Sequence, residues 1–167
     1  MGQRPGKEVV MTQKYIGVKQ QVEAWPEDKN GNPGYRVKYP DGYISWSPKN
    51  VFESAYLPMG EDNDGSKITE QMVTDFIVIR TVHKIGDKTT VVQVTLQNRF
   101  LITEASSCVD PANYDEDIGV KICVDRIKTK VFELLGFLLQ TARYGITGLN
   151  TPDEANDEGS AGQQETE

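Results

Sequence analysis

His83 is the one histidine in a chain of 167 residues, and Cys108 and Cys123 are its two cysteines. A nucleophile–base pair would have to be Cys108 with His83, and no spacing ties those two together. One histidine excludes a histidine-rich zinc site. Asp115, Glu116 and Asp117 form a run of carboxylates of the kind that holds Mg²⁺. They also stand directly ahead of a helical pattern, where carboxylates cap the helix and favour its dipole, and capping is the reading adopted. No GxGxxG, P-loop or EF-hand pattern is present. The expectation is a protein that is not an enzyme, with no metal and no cofactor.

Binding chemistry is better supplied. The stretch "YPDGYISWSPKNVFESAY", residues 39–56, concentrates aromatic rings beside Arg36 and Lys38. An aromatic face stacks on a nucleobase for roughly 1–3 kcal/mol, and a nearby cation holds phosphate. Tyr35, Tyr39 and Trp46 fall at alternating or turn-flanking positions and read first as core rings. Further positive charge is scattered: Arg99 beside Phe100, and Lys121 with Arg126 on the C-terminal helix. The net charge is −7, and Asp153, Glu154, Asp157, Glu158, Glu165 and Glu167 of the tail account for six of those negative charges. The remaining body is nearly neutral, without the broad basic field a polynucleotide needs. A compact nucleotide needs only a pocket.

Local patterns supply the elements that must carry these residues. Residues 15–24, "YIGVKQQVEA", read as a first strand, and "PEDKNGNPG" (26–34) as turn chemistry throughout. "YRVKY" alternates, Pro40-Asp41-Gly42 turns the chain, and "YISW" returns as its partner. Ser47 reads as an N-cap with Pro48 in the first turn of a short helix, "PKNVFESAY". A polar linker, 60–67, leads to a three-stranded meander: "TDFIVIRTVHK", "KTTVVQVTL" and "FLITEAS". Ile118, Ile122, Ile127, Val131, Leu134, Leu135 and Leu138 then trace a helical stripe running to about Tyr144, in which Gly136 marks a kink or a close contact. The fold class expected is α+β: an antiparallel sheet, hairpin plus meander, packed by a short helix and a long or bent C-terminal helix. Residues 1–14 read as a flexible extension and 15–145 as a single domain, with a hairpin–helix unit at 15–58 and the meander with its helix at 68–145. Residues 146–167 read as a disordered acidic tail.

With 37% hydrophobic and 26% charged residues the composition is that of a soluble globular protein. No apolar run approaches the roughly 20 residues of a membrane span, and the opening residues lack the apolar centre of a secretory signal. The two cysteines form no CxxC pair, as expected for reduced thiols in a cytoplasm. Met11 stands as an alternative start to Met1.

Residues 96–139 carry a longer pattern. Asn98, Phe100, Ile102, Thr103 and Ser106, then "PANYDEDIGVKI" from Pro111 to Ile122, then Leu134, Gly136 and Phe137 keep one register across the block. This block, about a quarter of the chain, resembles a family of small phage proteins that includes Thoeris anti-defence protein 1. Residues 41–56, "DGYISWSPKNVFESAY", resemble a module found ahead of various phage domains. The resemblance implies a non-enzymatic sponge that sequesters cyclic ADP-ribose-type messengers or cyclic oligonucleotides in the host bacterial cytoplasm. It also implies a homo-oligomer, a dimer or possibly a hexamer, with ligand at subunit interfaces. Carried onto this sequence, Phe100 becomes the stacking ring and Asn113 the base-reading amide, with phosphate-holding cations near Arg36 and Lys121. Val120 stands where many relatives have a basic residue and Arg99 where a glycine is frequent, so the pocket charge and the ligand are expected to differ. The runner-up reading is a protein-binding inhibitor of a host defence enzyme, with the acidic tail as a lure. A nucleotide-cleaving enzyme is third, for want of a base–nucleophile–metal set.

Overall fold

Asn30 and Gly31 make the first turn by themselves. Both have positive φ, 56° and 81°, which is what a two-residue type I′ hairpin turn requires and what Asn-Gly accepts. A computed structural model describes residue 14, residues 19–60 and residues 63–147, and in it this turn joins β1 (Glu23–Lys29) to β2 (Asn32–Lys38). The expected strand at 15–24 is therefore displaced: β1 begins at Glu23, and residues 15–18 lie outside the described residues. Most of the expected 26–34 turn is strand as well. Pro26 and Pro33 are tolerated because both occupy positions whose missing N–H would point away from the β1–β2 ladder. Counting from the Lys29–Asn32 pair beside the turn, they fall at alternate, non-hydrogen-bonded pairs.

Gly42, at φ 86°, closes the second hairpin as expected, with the Tyr43 N–H held by Asp41. It leads into β3 (Ile44–Pro48), which pairs with β2. Ser47 is a strand residue opposite Tyr35 rather than an N-cap. The helix α1 starts at Lys49 and ends at Ala55, with Pro48 at the cap position and no side-chain cap bond. Tyr35 of β2 stacks on Phe52 of α1 at 4.5 Å, and Phe52 on Tyr56 at 4.7 Å. Together with buried Val37 these half-buried rings hold α1 against one face of the sheet, whereas Tyr43 of the same stretch is exposed.

A second helix was not expected. α2 (Glu70–Phe76) is two turns long, capped by Thr69, whose hydroxyl accepts from the Met72 N–H at 3.2 Å. Its residues Met72 and Val73 are buried. "TDF" reads as strand because the helix passes into β4 (Ile77–Ile85) with no loop between them. β4, β5 (Thr89–Leu96) and β6 (Leu101–Ser107) form the expected meander, in the order β4-β5-β6. Central β5 buries Thr90, Val92, Val94 and Leu96 on one face, the alternation of a half-covered sheet.

α3 (Glu116–Tyr144) covers that face. The Asp115 carboxylate accepts from the Ile118 N–H at 3.1 Å, so the acidic run caps the helix. The helix runs unbroken through Gly136. Its buried line is Gly119, Cys123, Ile127, Val131 and Leu135, whereas Ile118, Ile122, Leu134 and Leu138 of the expected stripe are exposed. A line stepping every four residues drifts about 40° per step around a helix of 3.6 residues per turn. It thus follows the diagonal of a twisted sheet. Small Gly119 and Cys123 let the first turns approach most closely. Among the described residues the architecture is α+β: two three-stranded antiparallel sheets with three helices, the last of them long. No described helix is long and apolar enough to cross a membrane.

Candidate functional site

The β5–β6 connection is a three-residue turn, Gln97 to Arg99. The Leu96 N–H donates to the Phe100 carbonyl at 2.9 Å and the Arg99 N–H to the Leu96 carbonyl at 2.8 Å. Asn98 braces it by accepting the Phe100 N–H at 3.1 Å. Arg99 occupies the left-handed position, φ 68°, which is where glycine fits without penalty. The held turn presents Phe100, 54% exposed, at the mouth of an open groove of about 450 Å³ between β6 and α3. Leu101, Thr103, Lys130, Glu133 and Leu134 line the rest of it. The groove offers a flat ring and an apolar floor that can stack a small planar group, while its ammonium, Lys130, is paired with Glu104 and Glu133 adds a carboxylate.

Arg99 at a glycine position carries a testable cost. A non-glycine residue in this region is strained by roughly 1–2 kcal/mol, part of which glycine returns as unfolded-state entropy. Arg99→Gly is therefore expected to raise the melting temperature by a few degrees, measured by calorimetry. If Arg99 also meets a ligand phosphate, the same variant binds more weakly while being more stable.

The other expected site residues lie elsewhere. Asn113 ends a short 3-10 turn, Pro111–Asn113, just ahead of α3. It is beyond the far end of β6 from Phe100, and seven strand residues at about 3.3 Å each put roughly 20 Å between them. Its neighbour Tyr114 hydrogen-bonds the buried Thr90 hydroxyl at 3.1 Å and carries the Lys84 ammonium 3.9 Å over its ring. Lys121 is exposed on α3. Arg126 donates to the Ala105 carbonyl at 3.0 Å and lies 4.0 Å from Glu104, which also pairs with Lys130. Arg36, on the separate β1–β3 sheet, is held by two hydrogen bonds to Glu27. The hydrogen bond from Arg36 holds the Glu27 carboxyl below its ordinary range. One chain thus brings Phe100 and Arg99 together but places Asn113, Lys121 and Arg36 apart from them.

The residues weighed for catalysis do not converge. His83 is a strand residue opposite Val91, whereas Cys108 hydrogen-bonds backbone carbonyls of Lys88 and Asp110 past the end of the sheet. Burial pushes the Cys123 thiol up, keeping it a protonated core side chain. Among the described residues no group of three histidine, cysteine or acidic side chains could hold a metal ion. Lys130 in the groove and Trp25 on β1 are polar-face residues that the sequence reading passed over. Trp25 had one signal, its alternation with Glu23 and Glu27.

Residues 68–143 match the model of the phage protein (N4 Gp49/phage Sf6 gene 66) family. The match spans α2, the β4–β6 meander and nearly all of α3, including the groove, and makes this part of the chain similar to a family of small phage proteins. β1–β3 and α1 lie outside it. No curated protein and no solved structure matches the chain.

Proposed function

We propose, from the similarity of residues 68–143 to a phage protein family and the pattern carried by residues 96–139, that this chain is an anti-defence sponge. It binds cyclic ADP-ribose-type or cyclic oligonucleotide messengers in the host cytoplasm and withholds them without cleavage. The observation that carries the reading is Phe100, an exposed ring on a braced turn at the mouth of a groove. At about 450 Å³ the groove falls within the size of small-molecule sites, roughly 300–1,000 Å³. The experiment is incubation with messenger followed by heat denaturation. A sponge returns the messenger intact; recovery of a cleaved product makes the protein an enzyme, and no uptake leaves the protein-inhibitor reading.

Assembly is part of the same proposal. Phe100 and Asn113 are too far apart in one chain to touch one small ligand, so a site using both draws on two copies. Leu134, Phe137 and Leu138 of α3, with Leu101, are 44–71% exposed, and exposed apolar side chains of this kind favour an interface. Light scattering is expected to give at least twice the chain mass of 18.7 kDa at micromolar concentration. A monomer mass there would defeat the two-copy site.

A further inference from the structure

The first hairpin turn carries a chemically reactive pair. Asn30 and Gly31 are adjacent and exposed, as are Asp28, Lys29, Asn32 and Pro33 around them. An asparagine followed by glycine can cyclise: the glycine nitrogen attacks the asparagine Cγ, and glycine has no side chain to hinder the approach. The surroundings do not hinder it either, since a Cβ built at Gly31 would meet nothing within 4 Å. The Gly31 N–H donates to the exposed Asp28 carboxylate at 2.7 Å, not to a ladder carbonyl. The other described asparagines each lack one of these conditions. Asn32 precedes Pro33, which has no N–H. Asn50 precedes β-branched Val51 inside α1. The Asn63 amide is held on both sides, donating to the Lys67 carbonyl at 2.9 Å and accepting the Gly65 N–H at 3.0 Å. After Asn98 and Asn113 the next N–H is committed to backbone, Arg99 to the Leu96 carbonyl at 2.8 Å and Tyr114 to the Pro111 carbonyl at 3.1 Å.

We propose that Asn30 is a site of spontaneous deamidation, with Asp28 as its brake. The Gly31 nitrogen bonds to Asn30 Cγ as its proton leaves to hydroxide or water, and the Cγ–Nδ2 bond breaks with release of ammonia. Water then opens the cyclic imide at either carbonyl. One opening gives aspartate; the other gives isoaspartate, in which the main chain runs through Cγ. Asp28 opposes the first step in two ways. Its hydrogen bond must break before the Gly31 nitrogen turns towards Cγ, and its negative charge disfavours an amide anion beside it. The left-handed conformation of both turn residues, φ 56° and 81°, must relax as well, so the chemistry follows local opening of the hairpin tip and not unfolding of the chain. Isoaspartate adds a methylene between positions 30 and 31, which a two-residue turn does not accommodate. The Lys29–Asn32 and Asp28–Pro33 pairs lie next to it. Glu27, one residue further, holds the Trp46 indole N–H on its carbonyl at 3.1 Å. The modification thus loosens this end of the β1–β3 sheet. The inference does not rest on the sponge reading, because the turn lies outside the matched segment.

The test is incubation of the full chain at mildly alkaline pH over weeks, followed by digestion and peptide mapping, with an isoaspartyl-specific methyltransferase reporting isoaspartate. Asn30 is expected to convert ahead of Asn50, Asn63, Asn98 and Asn113, each converted chain gaining one negative charge. Asp28→Ala, its fold checked by circular dichroism, converts several-fold faster. Asp28→Asn, which keeps an acceptor without the charge, falls between it and the parent and serves if the alanine variant folds poorly. Asn30→Gly, which still suits the turn, removes the isoaspartyl signal from this peptide. The isoaspartyl fraction, separated by its charge, shows red-shifted emission from Trp25 and Trp46, the only two tryptophans of the chain. No isoaspartate at position 30 by the end of the incubation overturns the proposal, as does earlier conversion of any of the other four asparagines. Conversion no faster in either Asp28 variant overturns the role of Asp28, and parental emission from the isoaspartyl fraction overturns the loosening of the sheet.

Discussion

Gly119→Ala is expected to lower the melting temperature by several degrees, while Gly136→Ala on the same helix raises it. Helix propensity alone predicts a gain of up to about 1 kcal/mol for both. The surroundings of the two positions differ. A Cβ at 119 would meet the Thr90 side chain, with Thr90 Cβ at 2.8 Å. Thr90 is 0% exposed on the central strand and tied to Tyr114 through its hydroxyl, so it has nowhere to retreat. Overpacking of this kind costs about 1–3 kcal/mol, and a net loss of 1 kcal/mol moves the midpoint of a domain of this size by several degrees. A Cβ at 136 would meet nothing within 4 Å, so the propensity gain stands. Thermal melts followed by circular dichroism decide it. Equal melting temperatures for the two variants would mean that α3 is not pressed onto β5 at its first turn.

Phe100→Ala is expected to weaken messenger binding about 5- to 150-fold, the equivalent of the roughly 1–3 kcal/mol an aromatic stacking contact contributes. Its stability should hardly change, because the ring is 54% exposed and the turn beneath it is held by the Asn98 side chain and the backbone. Calorimetric titration with messenger, alongside a melt of each protein, separates the two effects. A variant that melts at the parent temperature and binds as tightly as the parent shows that the groove is not the ligand site. A variant that melts far lower would return Phe100 to the core.

Much of this architecture is legible in short windows of sequence, because it is enforced by residues within four positions of one another. Asn30-Gly31 and Pro40-Asp41-Gly42 turn where their backbones accept positive φ. Asp115 caps α3 through a bond to a residue three places on, and the helix ends at Gly145 with φ 75°. The α+β class follows from those local patterns. Short-range reading misses α2, whose two turns pass into β4 without a breaker, although Thr69 stands as its cap. It also extends the turn at 26–34, because prolines look like interruptions until the ladder shows which of their missing N–H groups face away from it.

Tertiary structure alone decided the rest. α3 is apolar on more than one face, and only the diagonal of the sheet selects Gly119, Cys123, Ile127, Val131 and Leu135 for burial, leaving Phe137 and Leu138 outside. Phe100 and Asn113 are 13 positions apart in sequence, but the chain between them is largely extended strand, which carries them to opposite ends of one sheet. Arg36, by resemblance a phosphate-holding cation, is in the fold a guanidinium hydrogen-bonded to Glu27. Trp25, Arg36 and Trp46 form a row only through strand register, a relation between distant segments that no periodicity within one segment can express.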